Sequence, residues 1–404
     1  MKLLAIIVSV FVCNIAIAQT NITQTKPEAI KKEPKNWYES FSIRGYAQIR
    51  YNRLLETNEN LKCEQCDRSI GKDGGFALRR GRLIISGNVA KNVYIYIQPD
   101  FGSSTGTTQN IFQVRDAYFD VSFDKKQEFR LRIGQSKVPY GFENMQSSQN
   151  RLPLDRNDGL NSAVSNERDL GAFFYWAPKN KRELFTAVVR DQYKGSGDYG
   201  VFAFGLYNGQ TANRAEANNN LHAVARISYP FKIKNQIIEP GLQAYTGKYV
   251  LPADLRSATT KAANGFQFND SRVATSLIVY PKPFGIQAEY NWGEGPQYNP
   301  LKDSIQTRNL KGGYITLTYR AALKNGMILF PYTRIQRYEG GKKHELDARS
   351  YNIKEIETGV EWQVNKNFEL TASYVLSERR FEDNKAKNNL QKGNFMRLQA
   401  QVNF

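Results

Sequence analysis

The sequence predicts an all-β fold, a transmembrane antiparallel β-barrel of about sixteen strands, with short turns at the periplasmic end and long loops outside. Three observations predict it: an export leader, strict polar/apolar alternation in segments of strand length, and links that alternate between short and long. Mean hydropathy is −0.57, which in most chains excludes a membrane protein. A transmembrane barrel escapes that rule, because lipid-facing and lumen-facing residues alternate and average out. The 23 Tyr, 23 Phe and 30 Gly fit the same class.

The leader comes first. Lys2 supplies its positive end, and residues 3–12 form an apolar stretch too short to cross a bilayer as a helix. Ala16-Ile17-Ala18 then gives the small-x-small pattern of a signal peptidase site, so residues 1–18 read as a signal peptide cleaved after Ala18. Cys13 is a poor lipidation site, because Val12 is not the small residue that should precede it. Residues 19–37 are polar and carry prolines and lysines; they read as a flexible periplasmic lead-in to a barrel over 38–404.

The alternation begins at Phe41. Phe41, Ile43, Gly45, Ala47, Ile49 and Tyr51 share one strand face, and Ser42, Arg44, Tyr46, Gln48, Arg50 and Asn52 share the other. At the other end Met396, Leu398, Ala400, Val402 and Phe404 alternate with Arg397, Gln399, Gln401 and Asn403. Between them the pattern places strands at 41–52, 76–88, 92–101, 112–123, 128–137, 170–178, 199–208, 221–231, 237–249, 271–280, 284–292, 311–320, 327–337, 352–364, 367–380 and 394–404. Short links fall at 89–91, 124–127, 281–283, 321–326 and 365–366; longer ones include 53–75, 102–111, 138–169, 209–220, 250–270, 293–310, 338–351 and 381–393. That rhythm suits a barrel with both termini periplasmic. Residues 182–192 break it. Leu184, Phe185, Val188 and Val189 recur at helical spacing, so this segment reads as a short amphipathic helix in an enlarged periplasmic turn.

Several stretches carry a family likeness: ALRRGRLIISGNV (77–89), IYIQPDFG (95–102), VRDAYFDVSF (114–123), LRIGQSKVPYGFENMQSSQNRLPLDR (131–156), NERDLGAFF (166–174) and YGVFAFGLYNGQ (199–210). Their GQ-x-K-x-P-aromatic-G signature resembles the phosphate-selective porin O and P family. The resemblance implies a sixteen-stranded outer-membrane porin, usually a homotrimer, whose third external loop folds inward to narrow the pore; here that loop is 138–169. It also implies passive diffusion of small hydrophilic solutes, with a preference for anions such as phosphate as the finer expectation. Phe404 resembles the closing aromatic by which the barrel-assembly machinery recognises its clients.

Candidate pore-lining arginines follow from strand parity. Arg44 and Arg50 come from the first strand, Arg80 and Arg82 from the run at 79–82, and Arg130 and Arg132 from the strand whose Phe129, Leu131 and Ile133 face lipid. Arg226 and Arg397 follow by the same rule, and the inward loop would add Arg151, Arg156 and Arg168. Guanidinium groups stay charged and replace an anion's lost hydration with charge-assisted hydrogen bonds. Rings of such groups favour anions, provided no single site holds too tightly. A polar lumen that pairs these arginines with carboxylates such as Asp100, Asp116, Asp120 and Glu239 is the alternative. A structural or accessory barrel within a larger outer-membrane assembly is the alternative function.

Other chemistry finds little support. Cys63 and Cys66 read as a disulfide staple in the first external loop or as two idle thiols. His222 and His344 are far apart, so neither a metal site nor a cofactor is expected. No serine and carboxylate set can be placed beside His222, and Glu355, Glu357 and Glu361 share a strand face as any polar lumen would have it, so no enzyme is expected. The net charge of +18 invites nucleic acid, but export and alternation explain the chain better. The expected partners are outer-membrane lipids, the phosphates of lipopolysaccharide against external Lys and Arg, and small anions.

Overall fold

The computed structural model describes residues 36–72, 74–105, 108–262 and 264–404. The signal peptide and all but the end of the lead-in lie outside them. The ring strands are β1 (Ser42–Leu54), β2 (Phe76–Ala90), β3 (Val93–Thr105), β4 (Thr108–Ser122), β5 (Phe129–Lys137), β6 (Arg168–Trp176), β7 (Phe202–Tyr207), β8 (His222–Ser228), β10 (Gln236–Val250), β12 (Gln267–Val279), β13 (Phe284–Asn299), β14 (Ser304–Tyr319), β16 (Ile328–Gly341), β17 (Ser350–Gln363), β18 (Phe368–Glu382) and β19 (Asn389–Asn403). Each pairs antiparallel with its neighbours, and β1 pairs with β19, so the ring of sixteen is closed and has no free edge. Three fragments, β9 (Phe231–Ile233), β11 (Lys261–Ala262) and β15 (Ala321–Ala322), lie outside the ring.

The wall is inverted relative to a water-soluble sheet. On β17, Glu355, Glu357 and Glu361 are buried while Ile356, Val360 and Trp362 are exposed. On β5, Arg130 and Arg132 are buried while Phe129 and Ile133 are exposed. A hydrocarbon exterior explains both faces at once, since charge is stabilised only on the side away from lipid.

Several strands outrun their sequence pattern. β3 and β4 continue through most of the expected loop 102–111, and β13 and β14 through most of 293–310. About 9–11 residues suffice to cross the bilayer. Beyond it neither lipid nor lumen selects side chains, so alternation fades while the hydrogen-bonded ladder continues, as from Glu294↔Asn309 to Asn299↔Ser304. The segment expected to be a periplasmic helix is α3 (Lys179–Arg190), with Phe185 and Val188 buried.

Closure is sealed at Gly45. Its N–H donates to the Phe404 carbonyl and its own carbonyl accepts from the Phe404 N–H. A Cβ at Gly45 would lie 2.3 Å from the Arg82 carbonyl and 2.6 Å from the Phe404 ring. Gly45→Val is therefore expected to reduce the folded fraction, read as loss of the heat-modifiable band on SDS gels. A wild-type band would mean that the seam tolerates the side chain.

Candidate functional site in the charged lumen

Residues 138–167 connect β5 to β6 and pack inside the barrel. Val138 donates to the Glu167 carbonyl at 3.0 Å, pinching the neck of the loop. Its first turn, α1 (Phe142–Met145), is held from the wall. The Glu289 carboxylate accepts the Phe142 and Glu143 N–H groups at 2.6 and 2.9 Å. Its second, α2 (Asp158–Asn161), lies against β14, where a Cβ on Gly159 would stand 3.0 Å from the Gly312 backbone. Val138, Tyr140, Leu160 and Val164 bury themselves against Phe173, Tyr207, Tyr245 and Tyr314 of the wall.

Carboxylates then tie the loop across the ring. Asp155 bridges to Arg50 of β1 at 3.0 Å and pairs with Arg397 of β19. Glu143 reaches Arg334 of β16 at 3.4 Å, and Asp158 reaches Arg379 of β18 at 3.0 Å and Lys342 at 2.5 Å. The family signature has a local reason here. Gln135 Nε2 donates to the Val114 and Arg115 carbonyls, and Lys137 Nζ donates to the Met145 and Gln146 carbonyls at the end of α1.

Two cavities take up most of the expected arginines. The larger, about 600 Å³, opens among the turns at the periplasmic end and is lined by Arg44, Arg130, Arg132 and Arg168 among others. Here Arg132 binds Asp120 through two parallel hydrogen bonds, Arg168 binds Asp116 at 2.9 Å, and Arg130 binds Asp198 at 2.8 Å. The smaller, about 40 Å³, has room for a few waters or a small oxyanion. Six arginines line it: Arg79, Arg80, Arg82, Arg115, Arg151 and Arg156. Only two carboxylates, Asp155 and Glu167, join them.

Within this cage the pairing is uneven. Arg82 binds Asp100 at 2.8 Å and Arg156 binds Glu167 at 2.6 Å. Arg80 donates to Gln48 and Arg151 to the Leu154 carbonyl. Among the described residues no carboxylate lies within ion-pair distance of either, although they are only 4 % and 5 % exposed. The Nε of both, and Nη1 of Arg151, have no hydrogen-bond partner in the protein. Other buried lumen cations differ: Arg272, Arg334, Arg379 and Lys343 each contact a carboxylate.

Arg50 and Arg226 sit in the wall and line neither cavity. Arg50 is bound by Asp67, Asp155, Gln399 and the Leu154 carbonyl, and Arg226 by Glu239 and the Gly200 carbonyl. Each acts as a brace between neighbouring segments of the wall. Arg397, tied to Asp155 and Asp67, borders a third, smaller cavity of about 20 Å³.

Parity misses Arg79 and Arg115. β2 pairs Arg80 with Gln48 and Leu78 with Ile49, leaving Arg79 as the extra residue of a bulge. β4 pairs Asp116 with Gln98 and Val114 with Pro99, leaving Arg115 in the same position. A bulge re-aims a side chain, so both turn inward beside an inward-facing neighbour. The signal was two adjacent charges within a lipid-flanked strand, where alternation would force one of them into hydrocarbon.

Outside, Cys63 and Cys66 are joined by a disulfide in the β1–β2 loop. That loop folds inward, burying Leu61 and Ile70 against Val375 and Phe395. Inside the periplasmic mouth, α3 and the chain after it form a strap. Val188 packs with Phe142, Ile237, Ile278 and Tyr280, and Lys194 reaches Glu361 at 2.5 Å on the far side of the ring.

A closed sixteen-stranded barrel with a charged, cavity-bearing interior and an apolar exterior is an outer-membrane channel. The sequence matches the family model for phosphate-selective porin O and P over residues 58–404, and the chain belongs to that family. It is a porin of the bacterial outer membrane. No curated protein matches its sequence.

Solved structures share the fold. The outer membrane channel DcaP of Acinetobacter baumannii is similar at 14 % identity and TM-score 0.55, covering 90 % of this chain and 97 % of its own. The trimer form of OmpT from Vibrio cholerae is similar at 11 % identity and TM-score 0.52, covering 90 % and 100 %. An anion-selective porin from Comamonas acidovorans is similar at 10 % identity and TM-score 0.52, covering 90 % and 99 %.

Proposed function

We propose that this porin passes small hydrophilic solutes passively, favours anions, and takes phosphate among them. The observation that carries this reading is the cage around Arg80 and Arg151: two buried guanidinium groups without a carboxylate, among four further arginines and only two acids. Burial first, and Arg156 second, push the Arg151 guanidinium down to about 9. It remains cationic at neutral pH, and an entering anion would relieve that repulsion. Most of the neighbouring arginines are paired, so the cage favours an anion without trapping it, as conduction requires.

The remaining roles follow from this reading. Residues 138–167 serve as the constriction, and Arg44, Arg130, Arg132 and Arg168 lead to it from the periplasmic side. Residues 1–18 direct export, and Phe404, an exposed residue at the seam, serves as the assembly signal. The working unit is a homotrimer embedded in lipid and lipopolysaccharide, transporting rather than catalysing.

Planar bilayers carrying the purified protein test it. Under a salt gradient the reversal potential should report anion preference. Arg80→Gln with Arg151→Gln should reduce the anion-to-cation permeability ratio several-fold. An unchanged ratio in the folded double variant removes the cage from the selectivity mechanism. The strap at 177–201 favours a second reading, an accessory barrel closed from the periplasm; well-folded protein that gives no conductance steps supports it.

A further inference from the structure

The periplasmic cavity is too large for an inorganic oxyanion alone. At about 600 Å³ it falls within the range of small-molecule binding pockets. Its wall is also not the bare charged surface that a water-filled vestibule needs. Tyr94, Tyr96, Tyr118 and Tyr199 all line it. Tyr96 and Tyr118 are cross-strand partners, stacked at 5.1 Å with their planes 12° apart. The Arg132 guanidinium lies 3.9 Å from the Tyr118 ring centre and within 6 Å of the Tyr175 and Tyr199 rings. The bidentate bond to Asp120 fixes that guanidinium in place.

Cations outnumber acids on this wall. Asp116, Asp120 and Asp198 are taken up by Arg168, Arg132 and Arg130. Arg44 is exposed to the cavity, and Lys137 is bound only to backbone carbonyls. Among the described residues neither has a carboxylate within ion-pair distance. The cavity is walled on two further sides: Arg182, Thr186 and Val189 of α3, with residues 196–199 of the strap, border one, and Met145, Ser147 and Asn150 of the inward loop border another.

We propose that this cavity is a binding site for organic anions that carry a flat ring, aryl phosphates being the type, with the ring against the outer face of Tyr96, which Tyr118 backs, and the anionic group toward Arg44 and Lys137. This deepens the anion reading above, and rests on it, by naming the solute class. Stacking on a preformed aromatic pair adds a contact that neither phosphate nor a neutral ring can make together with the charge. The cage beyond has room only for the anionic head, so the cavity is where the ring is recognised.

The test compares three probes on the full-length protein in detergent by titration calorimetry: phenyl phosphate, inorganic phosphate and phenol. Phenyl phosphate should bind about tenfold tighter than either of the others, given the usual worth of one aromatic contact. Tyr96→Leu and Tyr118→Leu should each narrow that gap, and Arg44→Gln should weaken both phosphates. Equal affinities for phenyl phosphate and phosphate in the wild-type protein overturn the proposal, as does a gap that survives in both tyrosine variants. The wild-type comparison decides the matter even if a tyrosine variant does not fold. Equal affinities with anion preference intact in bilayers remove only the ring site. No anion preference, with no phosphate bound, removes the reading beneath it.

Discussion

Asp155→Asn is expected to loosen the inward loop and make the channel noisy, while pushing selectivity further toward anions. Asp155 is the loop's anchor to the β1–β19 seam. It bridges to Arg50 at 3.0 Å, pairs with Arg397, and lies 3.6 Å from Arg79. Asp67 also serves all three arginines, at 2.8 to 3.5 Å, but it belongs to the β1–β2 loop and cannot hold residues 138–167. Removing one partner of a buried ion pair costs about 3–5 kcal/mol, chiefly because the remaining charge is stranded. Here part of that cost is offset by Asp67, so most of the effect should fall on the loop rather than on the barrel. Single-channel records should show rapid flicker, and the unfolding temperature read from the heat-modifiable band should fall modestly. The reversal potential should move in the anionic direction, because a lumen carboxylate is lost beside the cage. Quiet wild-type currents would show that apolar packing of Leu160 and Val164 is a sufficient anchor.

Much of the barrel was legible because lipid imposes a rule on every second residue. The rule located sixteen strands and put Arg44, Arg80, Arg82, Arg130 and Arg132 on the face that lines the interior cavities. It failed where the chain leaves the two-residue period. Arg79 and Arg115 sit on bulges, and both line the cage. Adjacent charges in RR and RD were the trace of those bulges in the sequence. Pairing was the second limit. Parity assigns a face but no partner, so it cannot tell Arg50 and Arg226, which pair with carboxylates, from Arg80, which among the described residues does not. That difference depends on Asp67, Asp155 and Glu239 arriving from other segments. The inward path of residues 138–167 was legible only through family likeness, because a polar loop with short apolar runs has no period to read. For α3 the helix itself was legible from Leu184, Phe185 and Val188. Its docking site inside the mouth was not, since an apolar helix face specifies burial but not the surface that supplies it.

That docking leads to the larger expected effect. A channel in which residues 178–200 are replaced by a short turn should conduct several-fold more than the wild type. Short periplasmic turns are the rule in such barrels, so the barrel itself does not require this insertion. The insertion is nonetheless fastened at points around the ring. Arg182 and Arg130 share Asp198 near β5, Val188 packs on Ile237 and Ile278 of β10 and β12, and Lys194 holds Glu361 of β17. Gln146 of the inward loop donates to the Lys194 carbonyl, which ties the strap to the constriction above it. Strap and constriction are therefore resistances in series, and removing the strap raises the current only if it limits flow. Lys194→Ala is the milder variant. It strands the Glu361 carboxylate two strand positions from Gln363 and within the same polar group as Glu369, so transient opening should be its signature rather than a larger steady current. Adding Glu361→Gln removes the stranded charge and should suppress folding defects without restoring the strap. If the deleted channel folds and conducts as the wild type does, solutes pass beside the strap through the cavity lined by Arg44 and Tyr94, and the limiting resistance lies wholly at residues 138–167. If Asp155→Asn adds the same flicker to the deleted channel as to the full-length one, the two obstacles act separately; if deletion alone already produces that flicker and Asp155→Asn adds none, the Gln146–Lys194 contact makes them one element.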